Sequence, residues 1–78
     1  MIRVEHDREA NALYIYLSDK PYAFGEDLDA RRRIDFAKDR TPIGIELLSV
    51  DQGVDLSDLP CADDLAAALE TYGINVFA

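Results

Sequence analysis

Residues 12–18 read Ala-Leu-Tyr-Ile-Tyr-Leu-Ser, and the reading of this stretch decides the fold. On an extended backbone Leu13, Ile15 and Leu17 fall on one face, with Ala12, Tyr14 and Tyr16 on the other. Alternation of this kind, in β-branched and aromatic residues, specifies a strand with two different faces. Upstream, residues 2–6 (Ile-Arg-Val-Glu-His) alternate in the same way. The short polar stretch 7–11 between them predicts an antiparallel hairpin, with Asn11 suited to a positive φ. Downstream, residues 30–36 place Ile34 and Phe36 beside Arg32, opposite Arg31, Arg33 and Asp35. Residues 37–42 read as a turn, and residues 43–50 direct Ile43, Ile45 and Leu47 inward and Gly44, Glu46 and Leu48 outward. Residues 19–29 contain Pro21 and Gly25 and keep no steady period, so they read as a loop or an irregular strand bent at Gly25.

The period changes near residue 57. Ser57 or Asp58 can cap a first turn that contains Pro60. Ala62, Leu65, Ala66, Leu69 and Tyr72 then recur at helical spacing, which predicts an amphipathic helix over 61–72 ended by Gly73. The apolar tail 74–78 is expected to add a strand or to cover a partner chain. The whole predicts one small α+β domain over 1–78, a four-stranded antiparallel β-meander with one C-terminal amphipathic helix packed on one face. Its inner face would be Val4, Leu13, Ile15, Leu17, Ile34, Phe36, Ile43, Ile45 and Leu47.

Composition narrows the function classes. The 78 residues are 49% hydrophobic, enough for a core but only a thin one, which favours self-association. The single cysteine, Cys61, excludes an intramolecular disulfide, and one histidine, His6, excludes a structural zinc site of Cys and His. The N-terminal residues lack the pattern of a signal peptide, and no apolar run approaches the roughly 18 residues of a membrane span. A soluble cytoplasmic protein is therefore expected. Net charge is −8, and it is uneven: residues 1–40 hold all eight Lys and Arg with nine acids, while residues 41–78 hold seven acids and no Lys or Arg. An acidic second half repels phosphate backbones and anionic lipid surfaces and suits a basic protein partner or plain solubility.

Two blocks carry a family resemblance. Asp7-Arg8-Glu9-Ala10-Asn11-Ala12-Leu13-Tyr14-Ile15-Tyr16-Leu17-Ser18 is similar to the opening pattern D-x-E-A-[DN]-A-L-Y-I-x-L-S of the bacterial domain of unknown function 2283 family. Ile34-Asp35-Phe36, followed by Ile43-Gly44-Ile45-Glu46-Leu47-Leu48, resembles its closing pattern V-D-[YF]…G-I-E-I-L. The resemblance spans about residues 2–50 and implies a small β-meander fold of bacterial origin with no activity to transfer. Because some relatives lie beside small toxin-like genes, it also implies, by analogy, an antitoxin-like partner role. The chain departs from the pattern at Asp39-Arg40-Thr41-Pro42, where such sequences carry a glycine in the turn.

Candidate chemistry is sparse. His6, Asp7 and Glu9 are the one cluster that resembles a general base or a metal site, but no nucleophile or further ligand set accompanies them. Asp7 and Glu9 are better read as acceptors for the amides of their own turn. Cys61 reads as partly buried and inert. No catalytic residue, cofactor or metal ligand is assigned. Asp35 and Glu46 lie on adjacent strands. If Phe36 opposes Ile43, Arg33 faces Glu46 and forms a cross-strand ion pair of about 0.2–1 kcal/mol. Tyr14, Tyr16, Arg31, Arg33, Asp35, Glu46 and Leu48 together form the expected interface or ligand face. With two outward arginines beside several acids, nucleic acid is disfavoured as a partner. The expected function is a non-enzymatic interaction module, a homodimer or the partner of a basic protein. The alternative is a small ligand-binding protein or enzyme using Arg31, Arg33, Asp35 and Glu46.

Overall fold

The computed structural model describes residues 2–78. Five antiparallel strands form the main sheet: β1 (Arg3–Asp7), β2 (Ala12–Tyr16), β3 (Phe24–Asp27), β4 (Arg32–Phe36) and β5 (Pro42–Leu48). A 3-10 turn (Val50–Gln52), a two-residue strand β6 (Val54–Asp55), a helix α1 (Ala62–Thr71) and a second short strand β7 (Val76–Phe77) follow.

The sheet has one strand more than the expected four, and its order is β1-β2-β5-β4-β3, so it is not a meander. Three hairpin-linked strands, β3 to β5, are joined to β2 by the crossover 17–23, which gives a Greek-key connection. The reason lies in β5, the longest strand, in which Ile43, Gly44, Ile45 and Leu47 are all buried. A meander would leave it at an edge. The central position goes instead to β5, and the short, acidic β3 takes the edge. Lys20 secures the crossover to the β4–β5 turn by bonding Asp39 at 2.8 Å and Thr41 at 3.2 Å. In that turn Arg40 adopts the left-handed conformation (φ 70°), the backbone state that a glycine takes without steric cost.

Leu13, Ile15, Ile34, Ile45 and Leu47 form the sheet's share of one contiguous core, against which Val4, Leu17 and Phe36 pack. Ile43 is buried as well. The expected inner face is therefore the observed one. The other half of the core comes from beyond the sheet: Val50, Val54, Leu56, Leu59, Leu65, Leu69 and Ile74. The tail does add a strand, since β7 pairs in parallel with β6 and holds the C-terminus on its own chain.

The helix runs as the periodicity predicts, but neither Ser57 nor Asp58 caps it. Cys61 occupies the N-cap at φ 56° with no side-chain capping bond, and it is exposed rather than partly buried. Ser57 is engaged elsewhere: its carbonyl accepts from Arg32, and its amide donates to Asp55 at 2.9 Å. At the other end Gly73 (φ 71°) closes the helix. Its amide donates to Glu70 and that of Ile74 to Leu69, the paired bonds of a Schellman motif, and Leu69 and Ile74 share the core.

Arg32 ties the sheet to this cover. On the inner face its side chain is only 10% exposed. Nε meets Asp29 at 2.9 Å, and one terminal nitrogen donates to the carbonyls of Asp55 and Ser57. Asp29 and Asp55 are held below the ordinary carboxylate value, Asp29 chiefly by the Arg31 amide and then Arg32, Asp55 chiefly by Ser57. Depressed carboxylates contribute stability above the unfolded value of 3.8, lost as the pH falls below it. Arg32→Ala leaves two carbonyls without their donor and removes the ion-pair partner of Asp29 and Asp55, and should cost about 2–4 kcal/mol in urea unfolding at pH 7. Arg32→Lys should recover only part, having no planar fork. In the wild-type chain the unfolding midpoint should begin to fall as the pH drops below 3.8.

Candidate functional site

The outer face of the sheet carries most of the residues expected at a site, and glycines determine how they lie. Across the sheet Gly25, Asp35, Gly44 and Tyr16 are register partners in one row, with Asp27, Arg33, Glu46 and Tyr14 in the next. Asp35 thus stands between two residues without side chains. Tyr14 leans across Gly44, and its hydroxyl donates to Asp35 Oδ2 at 2.7 Å. Arg33 leans across Gly25, and its Nε meets Asp35 Oδ1 at 3.3 Å. A Cβ on either glycine would strike the side chain now lying over it. The same Arg33 bonds Asp27 at 3.2 Å and the Tyr22 hydroxyl at 3.3 Å. Asp35 keeps only 14% of its side chain exposed, which makes it the least exposed carboxylate in any of the ion pairs.

The register expectation holds for Arg33 opposite Glu46 and Asp35 opposite Gly44, but an irregularity between Asp35 and Phe36 sets Phe36 opposite Pro42. The expected Arg33–Glu46 ion pair does not form. Arg33 turns the other way, because the space over Gly25 leads to two carboxylates and a phenol at once. Glu46 is left exposed and, among the described residues, without an ion pair. Tyr16 meets Tyr14 edge-on at 4.8 Å and donates to Glu5 at 2.7 Å, while Arg3 lies 3.9 Å from the centre of its ring. Burial first, and then the bond to Asp35, push the Tyr14 phenol well above its ordinary value. The bond to Glu5 raises that of Tyr16.

Arg31 stands apart from the tyrosines. It donates to the Gln52 amide oxygen at 2.6 Å and makes no ion pair among the described residues. The cavity it shares with Arg33 and Glu46 measures about 30 Å³, room for water only. A broader depression of about 300 Å³ lies on its other side, lined by Arg31, Leu48, Gly53, Val54 and Phe77 among others. Leu48 and Phe77 are among the exposed large apolar side chains. The structure therefore joins Tyr14, Arg33 and Asp35, keeps Tyr16 beside them, and leaves Arg31, Glu46 and Leu48 outside the cluster. Asp7 accepts from the Ala10 amide at 3.0 Å, as a turn residue would. His6 lies edge-on to Tyr72 at 5.9 Å, with a buried Nδ1 that has no hydrogen-bond partner among the described residues.

The sequence puts Arg32 on the inner face and a bend at Gly25, but it assigns neither of them, nor Gly44, a part in the outer cluster or the cover. A signal was present: a glycine inside a strand marks a place where something approaches the backbone closely.

An antiparallel sheet covered on one face, with an outer face of bonded polar and aromatic side chains, defines a small α+β domain of the one-sided sheet class. The sequence model of the family described as Protein of unknown function (DUF2283) matches residues 3–50, so the chain belongs to that family. The match covers the whole five-stranded sheet and ends at the start of the 3-10 turn, before β6 and the helix. No curated protein and no solved structure matches the chain. No helix among the described residues is long and apolar enough to cross a membrane.

Gly44→Ala should cost about 1–3 kcal/mol by displacing Tyr14. In a Tyr14→Ala background the same substitution should cost markedly less, and a double-mutant cycle on urea melts measures the coupling. Because the fold favours the neutral Tyr14 phenol, this contribution is complete below pH 10 and lost as the pH rises beyond it. Ultraviolet titration should show a late-ionising tyrosine that Asp35→Asn shifts downward.

Proposed function

We propose that this chain is a non-enzymatic protein–protein interaction module that engages a second copy of itself or a basic protein. One observation supports the reading above others: the fold spends its positive charge internally. Five of the eight cations, Arg3, Lys20, Arg32, Arg33 and Arg40, are held in ion pairs with acids of the same chain. Asp58, Asp63, Asp64 and Glu70, on and before the helix, have no such partner among the described residues and are exposed. Pairing leaves the net charge of −8 unchanged, but it leaves the acids of the helix as an exposed region without neighbouring cations, which favours a basic partner by long-range attraction. An antitoxin-like role is one form such a partnership takes.

The alternative, a ligand-binding protein or small enzyme, has the depression beside Arg31 in its favour, since Arg31 makes no ion pair among the described residues. Arg33 and Asp35 weigh against it, because each already satisfies the other.

Tagged protein should retain a basic partner from its host at low salt and release it as salt is raised, and Asp63→Asn/Asp64→Asn/Glu70→Gln should lose it while melting normally. Wild-type protein that sediments as a strict monomer at all concentrations, and retains no basic partner, would overturn the reading.

A further inference from the structure

We infer that the chain self-associates through the free edge of β1, by antiparallel pairing with β1 of a second copy about a two-fold axis at Val4. The inference rests on the interaction-module reading and specifies one of its two partners.

The backbone direction of β1 follows from its neighbours. The Leu17 amide donates to Ile43 across to β5, so Leu13, Ile15 and Leu17 turn their backbone groups toward β5, and Ala12, Tyr14 and Tyr16 turn theirs toward β1. Their register partners Asp7, Glu5 and Arg3 complete that ladder. Ile2, Val4 and His6 therefore direct amides and carbonyls outward from the edge. The Val4 carbonyl bears this out, since it is reached by the Tyr72 hydroxyl at 3.4 Å, a long contact from an exposed side chain.

The two edges of the sheet are not guarded alike. Edge strand β3 has four residues, and Glu26 sits on its core-side face as the register partner of Ile34, held by Arg40 at 3.4 Å. An inward charge on a short strand is a recognised defence against edge pairing. Edge strand β1 has neither proline nor bulge, and Val4 and His6, which share the core side, place no carboxylate or Lys/Arg there. Its outer face carries Arg3 and Glu5, one on each side of Val4. Antiparallel pairing about Val4 sets Arg3 of one copy opposite Glu5 of the other, twice, in the close non-hydrogen-bonded positions where opposite charges meet best. It also sets Ile2 opposite His6. Within one chain the nearest approach of Arg3 to Glu5 is a long 3.9 Å and both are exposed, so exchanging that ion pair gives up little; Glu5 also accepts from Tyr16 and Arg3 lies over its ring. Strand, register and charge are thus self-complementary, as a two-fold interface requires.

Sedimentation velocity across a concentration series should show a monomer–dimer equilibrium with a dissociation constant between about 1 µM and 1 mM. Amide exchange at Val4 and His6 should slow as concentration rises. Arg3→Glu and Glu5→Arg should each weaken the dimer about tenfold or more, and the double swap Arg3→Glu/Glu5→Arg should restore it. Val4→Pro removes an outward amide and no β1–β2 bond, and should abolish dimerisation with the fold retained by circular dichroism. A dimer indifferent to Val4→Pro and to the charge swaps would overturn the β1 edge and leave self-association standing. A monomer at every concentration would overturn the edge and leave the basic partner as the remaining arm of the reading.

Discussion

The pairing of β2 with β5 joins the two halves of the sheet, and the rest of the molecule is arranged around it. Ile15 lies opposite Ile45 and Leu13 opposite Leu47, and all four are almost wholly buried. A slip of one residue would turn these side chains to solvent and is excluded by the hydrophobic effect alone. A slip of two residues is another matter, because apolar alternation reads the same after it. The outer face removes this ambiguity. The outward residues of β5 include Gly44, Glu46 and Leu48, and only Gly44 lets Tyr14 cross the strand to reach Asp35. Arg33 crossing Gly25 does the same for β3 against β4. Burial chooses the face, and the glycine rows choose the register.

A sheet fixed in this way still needs a cover, and the cover presents an electrostatic problem. Residues 41–78 contain no Lys or Arg, so the segment that closes the core can neutralise none of its own carboxylates. Arg32 resolves this from the sheet side, reaching Asp55 and two backbone carbonyls of the cover from a nearly buried position. Three consecutive arginines thus serve three purposes, and strand alternation separates them. Arg32 goes inward to hold the cover, Arg33 outward to Asp27 and Asp35, and Arg31 outward to Gln52.

The strands β1, β2, β4 and β5, the helix and the inner face are legible in the sequence, because each is written in side-chain period, a local property. The order of the strands is not local. It depends on the competition between β5 and β3 for the centre, which burial settles in favour of the longer and more apolar strand. Strand β3 itself, Phe-Gly-Glu-Asp, is legible only as one of two alternatives, a loop or an irregular strand at Gly25, because it is short and its composition is a weak strand signal. The pairing of β6 with β7 joins two residues on each side and exists only because the core brings them together. The helix cap was misplaced for a related reason: Ser57 has the chemistry of a cap, but a tertiary contact with Arg32 claims its backbone. The outer cluster was legible in membership but not in connection. Tyr14, Arg33 and Asp35 stand out as residue types, whereas Gly25 and Gly44, which decide their geometry, carry no chemistry of their own.

That distinction bears on where function is to be sought in this fold. A tyrosine, an arginine and a carboxylate converging on one sheet face look like a binding site. Here each bonds another, the carboxylate is nearly enclosed, and removing Asp35 would deprive the part-buried Tyr14 hydroxyl of its acceptor and Arg33 of one of its two carboxylates. Such a cluster is committed to the fold, and substitutions at Tyr14, Asp35 and Gly44 are expected to act as one unit rather than independently. Groups available to another molecule are those the fold does not use. Among the described residues the less committed groups include the guanidinium of Arg31, which bonds the Gln52 side chain but makes no ion pair, the acids along the helix, and the backbone of β1 at the edge of the sheet, where the Val4 carbonyl makes one long contact with Tyr72. Of these three, only the β1 edge offers donors and acceptors in a fixed repeat, which is the property that lets a surface select one partner and one register.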